Sequence, residues 1–118
     1  GKIHIAAAIM GDAVTAFNNG NAYIGVGNDA TAFAAAQTDL QGASKARSGM
    51  EATYPTRADN VITMRAVFAS GVANFVWAEW GIFNAGSAGT MISRYVEALG
   101  TKTSAHSWQF TIDLTVTN

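Results

Sequence analysis

The C-terminal segment "SWQFTIDLTVTN" constrains the fold more than any other stretch of this sequence. From Trp108 to Thr117, apolar and polar residues alternate without exception. Successive side chains of a β-strand point to opposite faces, so this period of two indicates a strand with one buried face and one exposed face. The segment therefore predicts a sheet that covers an apolar core on one side.

Similar patterns occur earlier, in "NAYIGVGN", "NVITMRAVFAS", "NFVWAEWGIF" and "TMISRYVEAL". The glycine-containing stretches "ASGVAN" and "NAGSAG" separate the last three of these and predict hairpins. From Asn60 onward the strand patterns recur roughly every 12 to 16 residues, which is typical of an antiparallel β-sandwich or barrel. We therefore predict a mainly β fold of this class. The side chains that we expect to be largely buried are Ile62, Met64, Phe68, Trp80, Ile82, Trp108, Phe110, Ile112 and Leu114.

The N-terminal third has a different composition and predicts one or two short helical segments. "GDAVTAFNNG" is compatible with a helical turn that ends at Gly20, and "ATAFAAAQTDLQGASK" is rich in alanine, which favours helix. We place a short helix near Ala34 to Leu40, ended by Gly42. The length of 118 residues predicts a single β-rich domain over residues 1–118, with residues 1–20 as a candidate arm or interface segment.

The chain is poor in charge for a small domain. Only 13% of its residues are charged, against roughly 25% in ordinary soluble domains, and 49% are hydrophobic. A small monomer must cover much of its surface with polar groups, so this composition favours a surface that is hidden against partners, the first partner being another copy. The alternative is an ordinary β-protein with a face rich in Thr and Ser.

The same composition argues against several classes of partner. The net charge is −1 and the basic residues form no stripe, so we expect no nucleic-acid binding. No apolar run approaches the ~18 residues of a membrane span, so we expect no membrane insertion. The absence of cysteine excludes disulfides and thiolate metal sites.

Motifs for cofactors and metals are weak. "GVGNDATAF" resembles a phosphate-binding loop, but Ala30 occupies the place of the third glycine, so we predict a turn and no cofactor. Asn28 and Asp29 lack the spacing of a calcium loop. The histidines at positions 4 and 106 stand alone, without the paired spacing of a metal site. We therefore predict no bound metal.

Catalysis by a pair of carboxylates is the sharpest enzymatic hypothesis. Glu79 and Glu97 lie on neighbouring strand patterns, and two carboxylates across a cleft are what a glycosidase needs. The simpler interpretation is that each acid forms a cross-strand ion pair with an arginine, because Arg65 and Arg94 also lie on strand patterns. We therefore predict no catalytic residue and no enzymatic activity.

Glu79 itself lies in "FVWAEWGIF", between two tryptophans. We predict a structural carboxylate that accepts hydrogen bonds from backbone amides or pairs with an arginine, since burying it unpaired would be costly. By strand period, Trp77 shares a face with Phe75 and Glu79, which makes it the best candidate for an interface. The structural or interface candidates are thus Trp77, Glu79, Arg65 and Arg94.

Three segments together resemble a family pattern: "AYIGVGNDATAFAAAQTDL", "VFASGVANFVWAEWGIFNAGSAGTMISR" and "KTSAHSWQFTIDLTV". They are similar to small virion structural proteins of tailed bacteriophages, with "GSAGT" where that pattern has "SGGT". The resemblance implies a β-rich assembly subunit of the virion that self-associates and contacts other virion proteins, such as the major capsid or tail protein. It carries over no catalytic residues. The alternative is a carbohydrate-binding or receptor-binding module of a tail fibre, with the tryptophans as a platform.

Overall fold

The computed structural model describes residues 15–116, and this part of the chain is mainly β. Seven strands follow one another in the order β1 (Tyr23–Gly27), β2 (Lys45–Gly49), β3 (Thr56–Ala58), β4 (Val61–Phe68), β5 (Val76–Phe83), β6 (Met91–Thr101) and β7 (Trp108–Thr115). The five strands that the sequence patterns predicted are β1 and β4 to β7. The short strands β2 and β3 were not predicted, because "KARSG" and "TRA" carry no apolar alternation.

The strands form two antiparallel sheets. The first has the order β2-β1-β5-β6, and the second has the order β3-β4-β7. The end of β2 also reaches β4, through a bridge between Met50 and Ala66 and a hydrogen bond from the Glu51 amide to the Arg65 carbonyl. The chain from β2 to β3 therefore joins the sheets along one side, which is how a bent strand forms a corner between two sheets. On the opposite side, β6 and β7 are the outer strands.

One hydrophobic core is shared by both sheets. Ile24 and Val26 of β1 and Met64 and Phe68 of β4 are fully buried in it. Trp77 of β5 lies among them, with its ring 4.9 Å from the ring of Phe68 in an edge-on contact. Burial of side chains this large contributes most of the stabilisation available to a domain of this size.

The nine predicted core residues differ in how completely they are buried. Those that are buried are Met64, Phe68, Ile82 and Ile112, and those that are half-buried are Ile62, Trp80, Trp108, Phe110 and Leu114. Three of the half-buried residues lie on β7, which has a neighbouring strand on one side only within residues 15–116. The strand period therefore identified the correct face of β7, and the missing neighbour explains why that face is incompletely covered.

The hairpin predictions have opposite outcomes. "NAGSAG" does connect two paired strands, β5 and β6. "ASGVAN" does not, because β4 and β5 belong to different sheets and the segment crosses between them. The buried ammonium of Lys102 holds this crossing, donating to the Ala69 carbonyl and to Asn74 Oδ1, both at 2.8 Å. A turn-forming sequence fixes a reversal of the chain, but the choice of sheet depends on distant partners.

The helix predicted near Ala34 to Leu40 is wrong, since residues 28–44 form an irregular loop. A helix this short is marginal in water without tertiary support, and the backbone amides of Gln41 and Gly42 are bound by a side chain of β5 instead. Of the other predicted helical segment, residues 11–14 lie outside the described residues, and residues 15–20 form no helix. Residues 15–116 contain no helix long and apolar enough to span a membrane.

Candidate functional site

The outer face of the first sheet is covered by the β1–β2 loop, residues 28–44. Glycines lie beneath this loop on both central strands, since Gly25 pairs with Gly81 and Gly27 pairs with Glu79. Their lack of side chains leaves room for the loop to approach the sheet closely. A loop of this length without regular structure is uncommon in a compact domain and is usually either functional or disordered. Here it is held in place by specific contacts.

The carboxylate of Glu79 binds both ends of the loop. Its Oε1 accepts a hydrogen bond from the Gln41 amide at 2.8 Å, and its Oε2 accepts one from the Gly42 amide at 2.7 Å. Oε2 also accepts from the Asp29 amide at 3.2 Å, at the start of the loop. The side chain is fully buried. A single carboxylate thus joins the Asp29 amide to the adjacent amides of Gln41 and Gly42, which lie twelve and thirteen residues further along the chain.

Arg94 of β6 completes the arrangement from the neighbouring strand. Its Nε donates to Glu79 Oε1 at 2.7 Å, and neither side chain of this ion pair is exposed to solvent. Its Nη1 donates to the Thr31 carbonyl at 2.7 Å and to Gln37 Oε1 at 3.2 Å. We call Glu79 and Arg94 the clamp. Because every charged atom of the clamp has a partner, the cost of burying the two charges is offset.

Two glycines are required by the clamp. A Cβ atom on Gly27 would lie less than 3 Å from Oε2 of Glu79, and one on Gly42 would lie 2.7 Å from the same atom. Any larger residue at either position would displace the carboxylate. Glycine is needed at positions 27 and 42 because the backbone there lies very close to the buried carboxylate of Glu79.

The second half of the loop is anchored by a smaller apolar cluster. Leu40 packs there with Phe83 and Met91, and the guanidinium of Arg47 lies 3.6 Å from the centre of the Phe83 ring. Arg47 also donates to the Ala85 and Ala88 carbonyls at 2.8 and 2.9 Å, which ties the β5–β6 turn to the same cluster. A desolvated cation over an aromatic ring contributes about 0.5–2 kcal/mol.

Two aspartates beside the loop have pKa values below the ordinary value. For Asp29, hydrogen bonds from Thr31 lower the pKa, and the charge of Arg94 adds to this effect. For Asp39, partial burial raises the pKa, but hydrogen bonds from Lys45 and the Leu40 amide outweigh it and the net shift is downward. Contacts within the loop and with basic residues of the neighbouring strands therefore favour the charged form of both carboxylates.

The tip of the loop is exposed and uncharged. Every residue from Ala30 to Ala36 is exposed, and this stretch consists of alanine, threonine and one phenylalanine. Phe33 is 55% exposed, and Tyr95 and Val96 of β6 are 42% and 41% exposed. These three side chains, with Ser93 and Arg94, line a groove of about 330 Å³. We call Phe33, Tyr95 and Val96 the loop-tip patch.

The structure places the candidates from the sequence in different environments. Glu79 and Arg94 come together, with the backbone and arginine partners expected for Glu79. Arg65 pairs instead with Glu51 and stacks on Tyr54 at 4.3 Å. Trp77 is 2% exposed and lies in the core, so its side chain adds no exposed area to an interface. The strand period fails here because the pairing of β5 with β6 shifts register between Trp77 and Glu79, and the two side chains lie on opposite faces.

The proposed pair of carboxylates has separate partners. Glu97 is exposed and accepts a hydrogen bond from Trp80 Nε1 at 3.0 Å, whereas Glu79 is buried in the clamp. His106 lies in an exposed turn, and the histidine at position 4 lies outside the described residues. Within residues 15–116, no group of three or more His, Asp or Glu side chains is arranged to hold a metal ion.

Sequence reasoning missed the loop-tip patch, Arg47 and Lys102. The patch was not predicted because the alanine-rich stretch was interpreted as a helix. The absence of charged residues next to Phe33 in the sequence could have indicated an exposed apolar segment. Arg47 and Lys102 gave no signal, because their partners are mostly backbone carbonyls brought near by the fold.

Comparison with known proteins gives no relatives. No protein-family model matches the chain, and neither a curated protein nor a solved structure matches it.

Proposed function

We propose that this chain is a non-enzymatic structural protein of a tailed-bacteriophage virion, which packs on the particle surface and self-associates. Its place would be that of a capsid decoration protein or a tail component. The similarity of the three sequence segments to such proteins supports this proposal. We further infer that the two antiparallel sheets form a β-sandwich, closed along the β2–β3 side, which is a compact unit suited to repeated packing on a particle.

The observation that carries the proposal is the loop-tip patch on a clamped loop. Exposed apolar side chains that line one groove on a small soluble domain favour a site of interaction. The clamp fixes the loop before any partner arrives, so binding costs less conformational entropy than it would for a mobile loop. An uncharged, preorganised surface of this kind fits an apolar protein surface better than it fits a charged small molecule.

The hydrogen bonds and the burial of Glu79 support a structural role for this carboxylate. Its two oxygens accept four hydrogen bonds, and its side chain is closed off from solvent. A general acid or base must reach the proton that it transfers, whereas this carboxylate is surrounded by the loop that it holds.

The proposal is tested by co-expressing the chain with the capsid and tail proteins encoded in the same genome and separating assembled particles by sedimentation. The wild-type chain should sediment with the particles. Phe33→Ser should reduce its occupancy at least tenfold, because it removes the most exposed side chain of the loop-tip patch. Val72→Ser, at an exposed apolar residue of the β4–β5 connection, is the matched control and should bind as the wild type does. A wild-type chain absent from both kinds of particle would refute the proposal.

Glycan binding is the second candidate, and one feature favours it. Trp77, Leu99, Trp108 and Phe110, with Ser107 and Gln109, line a pocket of about 310 Å³ between β6 and β7. Aromatic rings beside a few polar groups are suited to binding a sugar. Binding of the wild-type chain to an array of bacterial surface glycans, lost in Gln109→Ala and kept in Phe33→Ser, would favour this function over the first.

A further inference from the structure

Within the described residues, the outer strand β7 pairs on one side only and has a regular edge on the other. All eight of its residues pair with β4 in an uninterrupted antiparallel register, from Trp108 opposite Phe68 to Thr115 opposite Val61. Within residues 15–116, no strand pairs with its other side. A straight edge of this length offers a row of backbone donors and acceptors to any extended strand that approaches it.

This edge lacks the features that usually prevent strands from pairing between molecules. Natural edge strands are protected by lysines, prolines, bulges or very short length. β7 contains no lysine and no proline, and Asp113 is its one charged residue. By contrast, the neighbouring outer strand β6 is interrupted by two register shifts, which distort its ladder. Of the two outer strands, β7 is therefore the better suited to pair with a strand of another molecule.

The side chains of β7 are also incompletely covered. Trp108, Phe110 and Leu114 point toward the core side but are only half-buried, while Gln109 and Thr111 on the other face are exposed. A further strand beside β7 would extend the sheet and cover the flank of the half-buried residues. It would have to bring an apolar face and a polar face in the same alternation.

We infer that the occupant of this edge is β7 of a second copy, paired antiparallel about a two-fold axis at Thr111. This inference rests on the self-association in the proposed function, and it names the surface that carries it. The two second sheets would join into one continuous sheet, with the order β3-β4-β7-β7-β4-β3. A two-fold interface of this kind is closed and uses the same strand from both copies.

The pattern of β7 is complementary to itself in this register. Thr111 faces Thr111, Gln109 faces Asp113 on both sides of the axis, and Phe110 faces Ile112. Each Asp113 carboxylate thus meets an amide donor, in addition to the Thr63 hydroxyl that donates to it within its own chain at 2.8 Å. An axis at Asp113 would place two carboxylates directly opposite each other, which is destabilising. Charge therefore disfavours an axis at Asp113 and is compatible with one at Thr111.

The test measures the oligomeric state of the full chain by sedimentation velocity over a range of concentrations. The wild type should form a dimer. Thr111→Glu should weaken the dimer at least tenfold, because like charges that face each other across an interface are strongly unfavourable. The matched control is Thr56→Glu, the same change on the exposed strand β3 at the opposite edge of the same sheet, and it should leave dimerisation unchanged. Melting curves establish that both variants remain folded.

A covalent readout tests the register. The chain has no cysteine, so a single introduced thiol can react only with its copy in another molecule. Directly opposed residues of an antiparallel pair have Cα atoms about 4.5–5.5 Å apart, within the range of a disulfide. Thr111→Cys should therefore give a disulfide-linked dimer under mild oxidation, and Thr56→Cys should not.

The dimer experiments and the particle assay test different surfaces, so their results can be distinguished. Phe33→Ser should keep the dimer, so a failure to bind particles would leave the β7 result intact. A monomeric wild type at all soluble concentrations, a dimer that persists in Thr111→Glu, or the absence of a disulfide in Thr111→Cys would each overturn the inference.

Discussion

Removal of the Glu79 carboxylate should destabilise this protein more than any other single change at an acidic residue. In Glu79→Ala, the guanidinium of Arg94 stays buried and loses the buried carboxylate with which it pairs. Leaving one member of a buried ion pair uncompensated costs about 3–5 kcal/mol. Small domains are stable by about 5–15 kcal/mol, so this loss would be a large fraction of the total.

Glu79→Gln should cost less, about 1–3 kcal/mol. The amide keeps the shape of the side chain and one accepting oxygen, but its NH2 group replaces an oxygen that accepts two hydrogen bonds. The double variant Glu79→Leu with Arg94→Met removes both charges, yet it should remain about 1–3 kcal/mol less stable than the wild type. The reason is that the loop amides of Gln41 and Gly42 still lose their acceptor.

The assay is urea unfolding followed by tryptophan fluorescence, with limited proteolysis to report release of residues 28–44. The matched control is Glu97→Ala, an exposed acid on β6 that accepts one hydrogen bond from Trp80 and should cost less than about 1 kcal/mol. If Glu79→Ala were no more destabilising than the control, the clamp would not hold the loop. Full recovery in the double variant would show that the loop amides contribute nothing, which would refute the same reasoning.

Three other changes test separate parts of the structure. Gly27→Ala should cost about 1–3 kcal/mol in urea unfolding, because the added Cβ meets the carboxylate of Glu79. Lys102→Met should cost a similar amount, about 1–3 kcal/mol, by removing the buried ammonium that donates to the Ala69 carbonyl and to Asn74 Oδ1, whereas Lys45→Met at an exposed lysine should cost less than about 1 kcal/mol. The lowered pKa of Asp39 means that its contribution to stability is complete above its unfolded pKa of about 3.9 and is lost as pH falls through the folded pKa. Asp39→Asn should therefore be less stable than the wild type at pH 7, with a difference that shrinks in melting curves below about pH 4, and a constant difference at all pH values would contradict this account.

The sequence by itself determined the elements whose signal is local. The period of two fixed β4 and β7 and the face of each that packs inward, because alternation along one strand needs no knowledge of its neighbours. The hairpin between β5 and β6 followed from a glycine-containing turn. The sequence also indicated that Glu79 needs partners, since a carboxylate between two tryptophans in a strand is costly to bury alone.

Only the tertiary structure decided which strands pair and what the buried charges hold. β2 and β3 carry no apolar alternation and exist because β1 and β4 offer them hydrogen-bonding partners. The register irregularity after Trp77 reversed the face of that residue, and the two extra residues of β6 at this point leave no mark in the pattern of apolar residues on β5. The alanine-rich stretch lies in a loop whose ends are bound by the carboxylate of Glu79, and a helix this short would have little stability of its own. Interactions between residues far apart in sequence therefore overrode local propensity wherever that propensity was weak.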